Sequence, residues 1–279
     1  VIPSITYAGY VAEGVGYIRH ADFTDKCYDD MRAAIQRLQS EGELKSLILD
    51  YRNNGGGVLQ SAIKILSLFV PKGTKVVETR GRNGETHKFF TEHEPLLPNI
   101  PLTVLINGNS ASAAEIVAGA IQDLDRGVLI GQRSFGKGLV QGTTPLGYNS
   151  YAKITVGKYY IPSGRCIQAV NYSTDGRAEQ VADSLIKEFK TAHGRKVYDG
   201  GGIMPDKRIE PQYVSSFAVT LYLMGIIEDF GDDYIRRNGS KPIDVKTFSI
   251  TDEDYADFVK LAMEKDIPYG VENGTREVA

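Results

Sequence analysis

Residues 107–141 read NGNSASAAEIVAGAIQDLDRGVLIGQRSFGKGLVQ. A small-residue turn leads into a helix-forming run, Ala113 to Asp123. A short apolar strand, Val128 to Ile130, follows. A glycine-flanked lysine, Gly136-Lys137-Gly138, comes next. The turn presents Ser112 at the mouth of the helix, where free N–H groups and partial positive charge gather. The helix covers roughly 16 Å at 1.5 Å per residue, and the strand with its flanks returns about that distance. Lys137 therefore comes back to the level of Ser112, although twenty-five positions separate them.

The same pattern surrounds this stretch. Ser46 to Tyr51 (SLILDY) and Leu102 to Ile106 read as short apolar strands of the fully buried kind, and Val15 to Ile18 reads as another. Thr24 is placed to cap a helix with Cys27, Met31, Ile35 and Leu38 on one face. A second helix is expected over Val58 to Phe69. Asn83-Gly84 predicts a hairpin turn. Tyr151 to Ile161 alternates like a strand with one wetted face, and Val181 to Lys190 reads as a helix within a polar stretch. Strands alternating with helices predict an α/β fold with parallel pairs. Three glycine-rich turns, Arg52 to Gly57, Asn107 to Ser112 and Gly131 to Gly138, each follow a buried strand. In a parallel arrangement all three lie at one sheet edge, where such folds bind ligands.

Composition narrows the function. The chain has 279 residues, 42% hydrophobic and 24% charged, with a formal net charge of −3, ordinary for a globular chain with one large or two modest domains. This charge gives no general attraction to nucleic acid, and no apolar run reaches membrane-span length. Four histidines, His20, His87, His93 and His193, lack metal-ligand spacing, so neither metal nor cofactor is expected. Cys27 and Cys166 make no disulfide framework.

The chemistry of the turns falls into roles. Ser112 is a weak nucleophile until a base removes its proton. An amine accepts that proton only when neutral, a state favoured by desolvation or nearby positive potential. Phe135 is a candidate for excluding water. The Ala113 amide and a backbone donor from Gly55 to Gly57 could stabilise an oxyanion, and Gln141 could orient the amine. Other readings compete. Ser112-Ala113-Ala114-Glu115 fits the capping box S-x-x-E, and Ser110 rivals Ser112 as cap or nucleophile. Gly131 to Lys137 fits the start of a phosphate loop, but Gly138 stands where Ser or Thr is required and LVQGTTPLG is no helix.

Taken in order, LILDYRNNGGGVLQSA, VLINGNSASAAEIVAGAIQD, GQRSFGKGLVQ, YYIPSGRCIQ and GGIMPD closely resemble the carboxyl-terminal processing (tail-specific) proteases, over residues 14 to 170 and again at GGIMPD. The resemblance implies a serine endopeptidase cleaving proteins near their C-termini through an acyl-enzyme on Ser112. Lys137 would be its general base, Gln141 its support, and Gly57 and Ala113 its oxyanion donors. It implies a core similar to crotonase and the Clp protease, built of βαβ units and distinct from the doubly wound sheet. That core would span residues 14–210 with an insert at about 171–200, and a helical appendage would occupy 211–279. Residues 1–13 would be the linker after a PDZ domain that relatives carry before this segment. The resemblance further implies protein or peptide partners held by their C-termini, regulation by a PDZ domain or adaptor, self-association, and a bacterial cell-envelope location, periplasmic or membrane-associated. Two rivals stand beside it: a peptide-binding or latent core whose catalysis needs the PDZ domain, and an acyl-thioester enzyme of crotonase type.

Overall fold

The computed structural model describes residues 3–172, 178–211, 214–239, 243–244 and 247–265. Parts of the expected linker, insert and C-terminal segment therefore lie outside the described residues. The chain divides into two units, Val1–Glu210 and Pro211–Ala279.

The first unit is built on a six-stranded sheet. It opens with an antiparallel pair, β1 (Ile5–Ala12) and β2 (Val15–His20). Helix α1 (Cys27–Glu41) leads to β3 (Ser46–Asp50), and α2 (Leu59–Leu66) follows the glycine turn. A hairpin, β4 (Lys75–Gly81) and β5 (Thr86–Phe90), precedes β6 (Leu102–Ile106). Helix α3 (Ala113–Asp123) then leads to β7 (Val128–Gly131). The long ribbon β8 (Leu139–Gly147) and β9 (Ser150–Tyr160) joins β4 and β5 in a second sheet of order β5-β4-β9-β8. Two small ribbons follow, β10 (Val170–Tyr172) with β11 (Ala178–Gln180) and β12 (Glu188–Lys190) with β13 (Lys196–Tyr198). The two-residue β14 (Lys207–Arg208) completes the first sheet, whose order is β1-β2-β3-β6-β7-β14.

From β2 to β14 every neighbouring pair is parallel. The order never reverses, so right-handed crossovers place α1, α2 and α3 on one face of the sheet. This is the α/β architecture with parallel pairs that the sequence predicts, without the switch point of a doubly wound sheet. Leu47, Leu49, Leu102, Val104, Ile106 and Leu129 turn into the core with Met31, Ile35 and Leu38 of α1. Burying each such side chain contributes about 1.5–3 kcal/mol. Ile48, Thr103, Leu105 and Ile130 alternate with them and remain half-exposed. The strands are therefore buried on one face only, not on both.

Several local expectations shift. Cys27, Met31, Ile35 and Leu38 are the buried stripe of α1, but its N-cap is Lys26, not Thr24. The helix expected over Val58 to Phe69 is the shorter α2. The helix expected over Val181 to Lys190 is instead a single 3-10 turn, Asp183–Leu185, followed by β12, which pairs with β13. A ribbon partner nearby in sequence overrides the local pattern there.

The second unit is helical: α4 (Ser216–Leu223), α5 (Ile226–Asn238) and α6 (Asp252–Glu264). Leu221, Ile226 and Ala262 form its small core. Phe230 meets Phe258 edge-on with ring centroids 5.3 Å apart, and Lys265 pairs with Asp229 at 2.9 Å. No helix of the described residues is long and apolar enough to cross a membrane.

His20, at the end of β2, is fully buried against Phe23 and Tyr51. Burial lowers its pKa from 6.5 to about 4. Between those values the unfolded chain binds a proton that the folded chain refuses, so stability falls as pH descends from about 6.5 to about 4. The contribution is up to about 3 kcal/mol. Urea denaturation at pH 7.5 and 4.5 should show a smaller acid penalty in His20→Gln than in the unmodified chain. Equal penalties would refute this account.

Candidate active site

The three glycine-rich turns meet. They leave the C-terminal ends of β3, β6 and β7, which are adjacent and parallel. The Ala111 amide donates to Asn54 O at 2.9 Å, joining the serine turn to the glycine turn. The Phe135 amide donates to Ser110 O at 3.0 Å, joining the lysine loop to the serine turn.

The two candidate serines, inseparable in sequence, differ in structure. Ser110 is fully buried. Its hydroxyl donates to Tyr51 O at 2.8 Å and accepts from the Asn107 amide at 2.9 Å. Ser112 is half-buried and has φ 56°, ψ −116°. A non-glycine residue at positive φ costs of order 1–3 kcal/mol and persists only where its surroundings enforce it. Sharp strand-to-helix turns that expose a nucleophile store this kind of strain.

Glycine is required beside that serine. A Cβ on Gly56 would lie 2.7 Å from Ala111 O, 2.8 Å from Ser112 Cβ and 2.9 Å from Ala113 N. A Cβ on Gly57 would lie 2.3 Å from Phe23 O. Among the described residues, neither the Gly57 nor the Ala113 amide donates to a protein acceptor. Both are thus free to meet a developing negative charge.

Glu115 organises the rest. It is fully buried within α3. One carboxylate oxygen, Oε2, accepts from the Ser112 amide at 2.9 Å and the Lys137 amide at 2.8 Å. The other, Oε1, accepts from Ser134 Oγ at 2.5 Å and the Gly136 amide at 2.7 Å. The backbones of Ser112 and Lys137 therefore share a single acceptor. Burial pushes this carboxyl up from its ordinary value, and the four donors oppose that push. Four donors with no competing acceptor match an ionised carboxylate. The carboxylate half of the predicted capping box forms, from the Ser112 amide to Glu115, and it is one arm of a larger junction. It also disposes of the phosphate-loop reading. The amides that would cradle a phosphate hold the protein's own carboxylate, and strand β8 follows instead of a helix.

The lysine loop is gripped from outside as well. The Gly138 amide donates to Gln168 Oε1 at 2.7 Å, and the Ala169 amide to Gly136 O at 2.9 Å. Ser134 Oγ accepts from the Ile203 amide at 2.6 Å. Arg165 anchors this outer segment through a buried pair with Asp123 at 2.8 Å. The motifs YYIPSGRCIQ and GGIMPD thus supply supports for the loop. Sequence reasoning gives Glu115 only a capping role, and gives Ser134 and Gln168 no role although both lie within motifs that it quotes. Beyond the capping box, a further signal is an acidic residue inside a helix that is otherwise mostly apolar.

Side chains are less assembled than the backbone. Lys137 is half-buried, Gln141 on β8 is exposed, and Phe135 is 60% exposed. Phe135 therefore does not shield the amine from water as expected. Among the described residues, the side chains of Ser112, Lys137 and Gln141 make no hydrogen bond with one another. Cys27 and Cys166 are both free thiols.

Replacing Glu115 with Gln keeps one acceptor oxygen and turns an amide donor onto two of the four groups that donate to it. We expect Glu115→Gln to lose about 3 kcal/mol of stability, since each buried unsatisfied donor costs about 1–3 kcal/mol. Urea denaturation at neutral pH measures this. A loss below about 1 kcal/mol would show that the carboxylate does not hold the junction.

Comparison with known proteins matches this geometry to a family. Residues 14–176 match Peptidase family S41, and residues 217–275 match the description "Probable PDZ-protease, C-terminal helical domain". The chain is 42% identical over 196 residues to a carboxy-terminal-processing protease of Bartonella bacilliformis, covering 68% of this chain and 45% of that protein. It is 39% identical over 168 residues to a carboxyl-terminal-processing protease of Synechocystis, covering 60% and 39%. A chloroplastic carboxyl-terminal-processing peptidase of Arabidopsis thaliana is 35% identical over 190 residues, covering 68% and 36%. Among solved structures, a photosystem II D1 C-terminal processing protease superposes with a TM-score of 0.55 at 28% identity, over 72% of this chain and 44% of that one. The chain spans less than half the length of these relatives. With the strained serine, the free amides and the lysine loop on shared backbone contacts, the match over residues 14–176 establishes that the chain belongs to peptidase family S41.

Proposed function

We propose that this chain is a serine endopeptidase that cleaves protein substrates near their C-termini, with Ser112 as nucleophile and Lys137 as general base. The observation that carries the reading is the Glu115 carboxylate, which holds the Ser112 and Lys137 amides on one oxygen. Neutral Lys137 takes the Ser112 proton as Oγ attacks the scissile carbonyl carbon. The Gly57 and Ala113 amides face the developing oxyanion. Collapse expels the amine, which leaves with the proton from Lys137, and an acyl-enzyme remains on Ser112. Water then attacks the acyl carbon as Lys137 takes its proton, and the acyl–Oγ bond breaks with that proton returned to Ser112 as the acid product leaves. Gln141 begins exposed and orients the amine once substrate covers the loop. The peptidase unit spans residues 14–210 with its insert, and residues 211–279 form the helical appendage. The bacterial and chloroplastic relatives named as carboxyl-terminal-processing proteases support this substrate class. A bacterial cell-envelope location, self-association and regulation by a PDZ domain or adaptor are proposed from the resemblance in sequence alone, and the match of residues 217–275 to a probable PDZ-protease helical domain supports the last.

A second reading is a latent core that binds peptide without cutting it. The exposed Gln141, unbonded to Lys137 among the described residues, favours it.

Casein cleavage followed by mass spectrometry across a pH series tests both readings. The unmodified chain should cleave, with a rate that rises with pH as a single amine loses its proton. Ser112→Ala and Lys137→Ala should each lose at least about 10⁴-fold in rate. Full activity in Lys137→Ala would sink the mechanism. Peptide binding without cleavage by the unmodified chain would favour the latent core. A second prediction concerns the turn: Gly56→Ala should lower kcat by at least about 100-fold, because the methyl group drives into Ala111 O and displaces an oxyanion donor. Wild-type kcat in that variant would count against the assigned donors.

A further inference from the structure

Asn54 touches no reacting atom, and the mechanism above gives it no part. It is nevertheless fully buried beneath the glycine turn with all four of its polar groups engaged. Its side-chain Nδ2 donates to His20 O at 2.7 Å, and its Oδ1 accepts from the Gly56 amide at 2.8 Å. Its backbone amide donates to Tyr51 O at 3.1 Å, and its backbone O accepts from the Ala111 amide at 2.9 Å. The amide orientation is forced, because an N–H can only donate and a carbonyl can only accept.

We propose that Asn54 is a positioning residue for the oxyanion-binding amides, acting through Gly56 and Ala111. This rests on the peptidase reading above. Gly56 O accepts from the Phe23 amide at 3.0 Å, and the Val58 amide donates to Phe23 O at 2.8 Å. These two bonds pair Gly57 with Phe23 in a parallel bridge. In such a bridge the central residue directs its own amide away from the partner strand, so the Gly57 N–H faces away from Phe23. With the Gly56 amide taken by Oδ1, Gly57 supplies the donor. The turn's other side is the serine turn, since a Cβ on Gly56 would touch Ser112 Cβ and Ala113 N. One residue therefore fixes both turns. Its side chain sets the pitch of the Gly56–Gly57 peptide, and its carbonyl sets the height of Ala111, two residues before Ala113. A pair of donors stabilises an oxyanion only while both point at one spot. Asn54 is fully buried and has no surface to offer a bound peptide, so the expected effect is on the transition state and not on substrate binding.

The test uses the full chain with Asn54→Ala and Asn54→Asp, and reads kcat, KM, melting temperature and the inhibition constant of a peptide aldehyde, whose adduct with serine carries the tetrahedral oxyanion. Asn54→Ala is expected to lower kcat by at least about 100-fold with KM within about threefold. Aldehyde affinity should weaken by the same factor as kcat/KM. Asn54→Asp keeps an acceptor for the Gly56 amide but sets an oxygen against His20 O, so it should recover only part of that loss. If Asn54→Ala does not fold, Asn54→Ser takes its place, since its short hydroxyl does not span to both partners. Unchanged aldehyde affinity in a folded loss variant overturns the proposal, as does a loss confined to KM. So does a loss of rate that follows melting temperature alone. If the unmodified chain neither hydrolyses peptide nor binds the aldehyde, the peptidase reading fails, and the positioning role falls with it.

Discussion

A buried carboxylate must find donors or lose its charge, and in this protein Glu115 finds four. Everything near the candidate site is arranged around that requirement. Taking a charge out of water costs several kcal/mol unless hydrogen bonds replace the solvent. Two of the replacements come from the turn that presents Ser112 and the loop that carries Lys137. The need to satisfy a buried oxygen thus becomes a geometric bond between the Ser112 turn and the Lys137 loop. The strain at Ser112, with its φ of 56°, persists because Glu115 holds its amide from one side and Gly56 packs on it from the other.

Two kinds of support divide the labour. On the lysine side, Glu115, Ser134 and Gln168 hold the 134–138 loop through polar side chains buried among the core segments. On the glycine-turn side, the contacts are mostly backbone, made possible because Gly56 and Gly57 carry no Cβ where Ala111, Ser112 and Phe23 press close. Beneath both lies the parallel sheet. Its unreversed order brings three strand ends to one edge, so three turns far apart in sequence become neighbours without any long loop.

Much of this was legible in the sequence. The apolar strands, the α3 run and the glycine turns predict a parallel α/β core with its chemistry at one edge, and Ser112 and Lys137 come to that edge as the rise per residue requires. What escaped was tertiary. Ser110 and Ser112 look alike because local chemistry cannot show that one hydroxyl is spent on Tyr51 O. Glu115 reads as a cap because S-x-x-E is a local signal, whereas its bonds to Ser134, Gly136 and Lys137 span about twenty residues. The alternation of buried and half-exposed positions in β3 and β6 was masked by apolar residues on both faces. The helix expected near Val181 became a ribbon because its partner arrives only at Lys196.

The bond from the Ile203 amide to Ser134 Oγ, sixty-nine positions apart, carries a consequence for the order of events. Ser134 in turn donates to Glu115, so the junction that aligns serine and lysine is completed by a segment made long after both. Contacts of such sequence separation form late, since loop closure must be paid for first. A nascent or half-folded copy carries Ser112 and Lys137 but lacks the brace that brings them into register. Register between the Ser112 turn and the Lys137 loop is thereby completed only after the 201–206 segment has docked.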